Sequence, residues 1–461
     1  MGIIIKSLQE MLLEKNRGGF MLIGNGRVIT HDKEYPYFEN GGVLIKDGKI
    51  LEVGESDILK KKYPNEEFID AENNLIMPGL INVHHHIYSA FARGMKSSGK
   101  APKDFQEILE NLWWKVDKKL NHEDIKYSAL TTYIDSVKNG VTTVFDHHAG
   151  PNSITGSLDV IGEAAKQVGI RSCLCYEVSD RDGVDIAEEG INENVRFIKK
   201  CENEDENMLK GMFGLHASFT LSDETLKKCQ EAMHGLGVGY HVHIAEGIGD
   251  LNDSLEKYGK RVVERLSEFG ILGEKTIGVH CIYINEKEME ILKNTKTNVV
   301  HNPESNMGNA VGCSPILEMF SKGIHLGLGT DGYTSDMLES LKVGNIIHKH
   351  EKRDPSVAWI ELPTMLFKNN RKIAEQYFKD SMGVLKKGAL ADVIIVSYDP
   401  LTELNEENYN SHLLFGVMGR DVVTTIIDGK IVMKNRKILT LDEKEVFKNS
   451  RIVSKKMWLR D

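Results

Sequence analysis

From Met21 onward, apolar and polar positions alternate in short runs bounded by turn residues. Residues 42–45 and 50–53 flank Asp47-Gly48-Lys49, and Asp-Gly between two apolar runs is a strong hairpin signal. The same device returns far downstream, where residues 422–427 run into Asp428-Gly429-Lys430 and then Ile431-Val432-Met433. Ahead of it, residues 388–396 read as another buried strand. Both ends are therefore β-rich and alike. The pattern predicts a small β-sandwich built from residues 21–78 and 388–450, with residues 79–387 inserted between its halves.

The insert has a different rhythm. Apolar runs rich in β-branched residues alternate with helical-looking stretches of Glu, Lys and Leu. Eight runs qualify as strands: 80–86, 141–146, 170–176, 212–216, 238–245, 276–280, 297–301 and 324–331. Strands alternating with helices predict a parallel sheet. Eight such units over this length suggest an α/β fold of the (β/α)8 TIM-barrel kind, whose active sites sit at strand C-terminal ends. An open doubly wound sheet is the alternative, but no GxGxxG follows the first of these runs and no P-loop sequence occurs. Residues 1–20 read as an N-terminal extension with a short amphipathic helix, lacking the apolar core and cleavage site of a secretory signal.

Composition changes the picture mainly by exclusion. The chain has 461 residues, 41% of them hydrophobic and 27% charged, as expected of a globular protein. A formal charge of −10 offers no clustered basic footprint for nucleic acid or anionic membrane. No run approaches the roughly eighteen apolar residues that span a bilayer. Six cysteines without a CxxC pair read as buried thiols in a reducing, cytoplasmic setting. The expected partner is a small molecule, and a homodimer is the commonest closed assembly.

Chemistry gathers at the ends of the predicted strands. His84 and His86 lie two apart, so they share one face of their strand while His85 takes the other. The fifth run carries His243 with Glu246 just beyond it, the sixth ends in His280, and the eighth reads Gly329-Thr330-Asp331-Gly332. Three neutral imidazoles and a carboxylate suit Zn2+, or Fe2+ or Mn2+. Such an ion brings the pKa of its water towards about 7, and an ionised Asp331 beside it is placed to take that proton. Each residue also has a purely structural reading: a packed strand histidine, a turn aspartate, a helix-start glutamate. Together those readings demand several coincidences at one end of the strands.

With these residues in hand, the sequence resembles the amidohydrolase superfamily, in particular its cytosine-deaminase-like and chlorohydrolase-like aminohydrolases. The marks are Met77-Pro78-Gly79-Leu80-Ile81-Asn82 before His84-x-His86, then His243-x-x-Glu246, His280, Gly329-Thr330-Asp331-Gly332 and Lys387-Gly388-Ala389-Leu390-Ala391-Asp392. Within that group it looks most like the SsnA-type aminohydrolases. The segments that carry this are Ile87-Tyr88-Ser89-Ala90-Phe91-Ala92-Arg93-Gly94-Met95, Phe145-Asp146-His147-His148 and His301-Asn302-Pro303-Glu304-Ser305-Asn306-Met307-Gly308. The resemblance implies one divalent metal, Zn2+ first, on His84, His86, His243 and Asp331. Glu246 would protonate a ring nitrogen, His280 would orient or deprotonate the attacking water, and Asp331 would pass its proton to the departing amine. The fourth run ends Gly214-Leu215-His216 without the lysine of binuclear relatives. His216, Arg93 and Asn302 then resemble substrate contacts.

The implied activity is hydrolytic deamination of a C–N bond of a purine, pyrimidine or triazine by metal-activated hydroxide. A non-catalytic metal-binding maturation or scaffold protein, linked to purine or selenium-dependent metabolism, is the alternative, since a fold does not fix function. Such a protein would have no need of Glu246 and His280 together with a complete ligand set. His147 and His148 follow the second run, so at least one could reach the site, and a structural role behind it is the equal alternative. His301 is expected to shape its loop, and Trp113 and Trp114 to pack in the core or stack on a ring.

Overall fold

Alternation of side chains along the N-terminal strands sorts them onto two faces. The computed structural model describes residues 20–96, 101–203 and 207–460. The amphipathic helix expected over residues 1–20 lies outside them, save for Phe20, which opens β1 (Phe20–Ile29). Met21 and Ile23 of β1 join Val43 and Ile45 of β2 (Tyr37–Lys46) in one apolar core. Leu22 and Leu44 point the other way, onto Leu59 of the helix Ser56–Lys62. This period of two is what the pleat imposes.

The sandwich expected from the two chain ends takes another form. Hydrogen bonding joins them in one nine-stranded mixed sheet. Its members are β1, β2, β3 (Lys49–Glu55), β4 (Glu67–Asp70), β5 (Leu75–Pro78), β15 (Val393–Val396), β16 (Val422–Ile427), β17 (Lys430–Lys434) and β18 (Lys437–Ile438). The reason is β5, which pairs with β1 in parallel and with β15 antiparallel, so no edge separates the two halves. As a central strand it is buried throughout, and it reads as a continuous apolar run. The sheet curls until its two Asp-Gly turns meet: Lys49 bridges Leu390, and the Gly429 amide donates to Ala391. This unit takes in Met1–Leu80, Val137–Thr142 and Lys379–Thr440. Its C-terminal segment stops short of the expected residue 450.

The second unit holds Ile81–Ser136, Thr143–Phe378 and Leu441–Asp461. Its strands begin with β6 (Leu80–His85), β7 (Val141–His148), β8 (Arg171–Tyr176) and β9 (Leu209–Gly211), joined in that order in one sheet. A second, wholly parallel sheet runs β10 (Phe213–Ala217), β11 (Tyr240–Ile244), β12 (Ile277–His280), β13 (Asn298–His301), β14 (Leu326–Leu328). All eight expected runs contain a strand; the fourth holds β10, and the short β9 lies just ahead of it. Single parallel bridges, Val178 with Leu215 and His85 with Asp331, link the two sheets at either end. Helices fill the intervals. In Val184–Asn203, for example, Ala187, Gly190, Ile191, Asn194, Phe197, Ile198 and Cys201 form the buried stripe, at helical spacing.

Candidate active site

The C-terminal tips of these strands carry strained backbone. Ala245, His280 and Asp331 are left-handed, with φ of 47°, 70° and 56°. Non-glycine residues there cost about 1–3 kcal/mol each and persist only where their surroundings hold them. The three residues stand at the tips of β11, β12 and β14. Gly329 makes room for the last of them: a Cβ on it would lie 2.5 Å from Asn302 Oδ1 and 2.9 Å from His84 Cβ.

His84, His86 and His243 converge with their tautomers fixed from behind. His86 Nδ1 donates to the His147 carbonyl at 2.6 Å, and His243 Nδ1 to the His216 carbonyl at 2.9 Å. His84 Nδ1 lies 2.9 Å from His241 Nε2. With Nδ1 donated to a carbonyl, Nε2 of His86 and of His243 is left bare towards a point that His84 Nε2 also faces, the outer-partner arrangement that orients metal-binding histidines. His86 Nε2 is 3.1 Å from His243 Nε2 and 3.2 Å from Asp331 Oδ1, and His84 Nε2 is 3.7 Å from that same oxygen. Bonds of about 2.0–2.1 Å to a tetrahedral ion put ligand atoms roughly 3.4 Å apart. His84 Nε2 is buried and has no hydrogen-bond partner. Donor set, spacing and orphaned nitrogen all fit a divalent metal.

The protonation states divide the two nearest carboxyls. Burial opposes the charge on Asp331, but the surrounding imidazoles of His84, His86 and His280 hold its carboxyl well below the usual range. Its Oδ2 also accepts from Ser305 Oγ at 2.7 Å, and its Oδ1 from the Gly332 amide at 2.8 Å. Burial and the Asp331 charge push Glu246 well above the usual range, which favours its protonated form. Between them stands His280, with Nε2 3.4 Å from Glu246 Oε2 and 3.6 Å from Asp331 Oδ2. Its Nδ1 donates to Asn306 Oδ1 at 2.7 Å, which leaves Nε2 as the basic nitrogen. Burial keeps His84, His243 and His280 below the ordinary imidazole range.

Behind His280 runs a buried chain of polar side chains. Asn306 Nδ2 faces His301 Nδ1 at 3.5 Å, His301 Nε2 meets His348 Nε2 at 3.0 Å, and His348 Nδ1 meets the Cys313 thiol at 3.5 Å. His301 thus stands behind the site and does not line it.

Among the described residues, the cleft in front of this group is lined by Tyr88, Phe105, Trp113, Glu177, His216, Asn309 and Tyr333, among others. Of the expected substrate contacts, His216 is there. Arg93 and Asn302 are not: the turn Ile87–Ala92 delivers Arg93 to an exposed position, while Asn302 is fully buried against Gly329. His147 reaches the floor of the cleft at Glu177. His148 is buried with neither ring nitrogen bonded, and its pKa falls to about 3 through burial. Trp113 lines the cleft, whereas Trp114 stacks on Phe219. Sequence reasoning missed Glu177 and Asn306. Glu177 directly follows the third run, and a carboxylate at a strand tip was the available signal.

The amidohydrolase family profile matches residues 75–432. The chain belongs to the amidohydrolase family. It is 31% identical to a 5′-deoxyadenosine deaminase of Methanosarcina acetivorans over 95% of this chain and 99% of that protein. It is also 31% identical to a 5-methylthioadenosine/S-adenosylhomocysteine deaminase of Halothermothrix orenii, over 93% and 97%. Among solved structures, a zinc-bound adenosine deaminase from Xanthomonas campestris superposes with a TM-score of 0.84 at 21% identity, covering 95% of this chain and 98% of that one. A zinc-bound atrazine chlorohydrolase from Arthrobacter aurescens gives 0.80 at 21% identity, covering 94% and 100%. These likenesses bear on the fold, an α/β fold of TIM-barrel type.

Proposed function

We propose that this amidohydrolase is a metal-dependent aminohydrolase that exchanges the amino group of a nitrogen heterocycle for oxygen, consuming water and releasing ammonia. The relatives named deaminases of adenosine derivatives make an aminopurine nucleoside the first substrate to try. The observation that carries the reading is the convergence of Glu246, His280 and Asp331 beside three bare imidazole nitrogens. A scaffold has no use for that set. The two linked parallel sheets are read as one (β/α)8 barrel bearing the activity, and the nine-stranded sheet as its companion domain. Homodimer assembly and a cytoplasmic setting belong to the same reading, the latter supported by the free thiols.

His84, His86, His243 and Asp331 would hold the metal, with Zn2+ favoured by three imidazoles and one carboxylate. Bound there, it supplies a water acidic enough to ionise near neutral pH. The chain's own residues handle the protons. His280 Nε2 and ionised Asp331 accept from the attacking water, and Asp331 passes a proton to the leaving amine. Protonated Glu246 donates to a ring nitrogen, so the ring accepts electrons as the C–O bond forms. Two carboxyls driven to opposite states by their surroundings are a recurrent way to obtain acid and base at one pH. The test is ammonia release from adenosine derivatives, free purines, pyrimidines and triazines by metal-loaded protein, with metal content measured alongside. Release from one class at about one metal per chain is expected; release from none overturns the reading.

A further inference from the structure

On the floor of the cleft, opposite the proton-handling group, Glu177 has no part in the chemistry just described. It directly follows β8, is 6% exposed and lines the cleft. His147 Nδ1 stands 3.2 Å from Glu177 Oε2, and His147 Nε2 lies 3.1 Å from the Leu215 carbonyl and 3.0 Å from the His241 carbonyl. The two carbonyls pin the ring, which leaves Nδ1 beside one carboxylate oxygen without a hydrogen bond to it. The other oxygen, Oε1, faces His216 Nε2 at 3.8 Å, beyond hydrogen-bond range.

The tautomer of His216 decides what this pair offers. Its Nδ1 is 2.6 Å from Thr220 Oγ1, whose own hydroxyl is donated to the Ala217 carbonyl at 3.1 Å. Nδ1 is therefore the protonated nitrogen, and Nε2 faces Glu177 as a bare acceptor. Two acceptors thus lie side by side on the floor of the cleft. A buried carboxylate oxygen left without a donor is costly, and the cost is relieved by a ligand that brings the donors.

We propose that Glu177 and His216 Nε2 form a donor-reading anchor for substrate, engaging two adjacent N–H or O–H groups remote from the carbon that reacts. Either an amino-heterocycle edge or the vicinal hydroxyls of a ribose supplies that chemistry. The aromatic rings of Tyr88 and Trp113 wall the same cleft and suit a planar ring held between the anchor and Glu246. Glu177 is then a specificity residue, and the substrate class narrows to heterocycles that carry a donor pair. This rests on the aminohydrolase reading.

The test uses the full metal-loaded chain and two probe pairs: adenosine against 2′- and 3′-deoxyadenosine, and 2,6-diaminopurine against adenine. In the wild type, loss of one donor in the relevant pair lowers kcat/KM, and which pair responds identifies the source. Glu177→Gln is expected to cost about 10- to 100-fold on the donor-bearing probe, mainly through KM. It leaves the donor-lacking analogue, metal content and melting temperature unchanged. If Glu177→Gln misfolds, Glu177→Asp, which keeps the charge but withdraws it by one methylene, carries the same comparison. Equal losses on both members of a pair, or no loss on either, overturn the anchor. If the wild type releases no ammonia, the aminohydrolase reading fails separately. Calorimetric binding of the same probes then decides the anchor, and equal affinity for wild type and variant overturns it.

Discussion

Glu246 and Asp331 are both acids at strand tips, both largely buried, and both within 3.6 Å of His280 Nε2, yet their pKa values are driven in opposite directions. Asp331 accepts from Ser305 and the Gly332 amide, while the one hydrogen bond drawn to the Glu246 carboxyl is a long contact from Asn309. Glu246→Gln keeps the shape and removes the transferable proton. It is expected to hold metal normally and to lose about 10²- to 10⁴-fold in turnover, read by ammonia release against metal content. The histidine run separates as sharply. His84→Asn removes a bare Nε2 and is expected to lower metal content below that of the wild type. His85→Asn is expected to retain it, because His85 points to Ser335 and away from the convergence. Alternation along β6 made that division legible from sequence. The parts played by Glu177 and Asn306 were not, because each depends on neighbours brought in by other strands.

At the scale of elements, the barrel-like strands were legible because β-branched runs and amphipathic helices have distinct periods. The single nine-stranded sheet was not. A continuous apolar run such as β5 shows that a strand is buried, not which strands flank it. The short β9 also left no mark, since Leu209-Lys210-Gly211 is only three residues with a lysine at its centre. Tip geometry sets a further expectation. Gly329→Ala would push a methyl group against Asn302 and His84, and overpacking of this kind costs about 1–3 kcal/mol. Chemical denaturation would measure the cost, and lowered metal affinity would show that Asp331 had been displaced with it.

Across the whole molecule, buried acids tie stability to pH. Burial pushes Glu304 from 4.5 to about 7 and Asp250 from 3.8 to about 7. For each, the folded pKa lies above the unfolded one, so its contribution is complete below the unfolded value and is lost as pH rises to about 7. Glu304→Gln is therefore expected to flatten the decline in melting temperature between about pH 4.5 and 7, recovering roughly 1–3 kcal/mol at the upper end. An unchanged slope would count against it. The chain running inward from His280 has a consequence of another kind. Imidazoles pass protons along, whereas the amide of Asn306, set between His280 and His301, offers a fixed acceptor on one side and fixed donors on the other. Under the proposed mechanism it would act as an insulator: a proton captured at His280 would stay on the cleft side, available for return to the product, and would not drain towards His348 and Cys313.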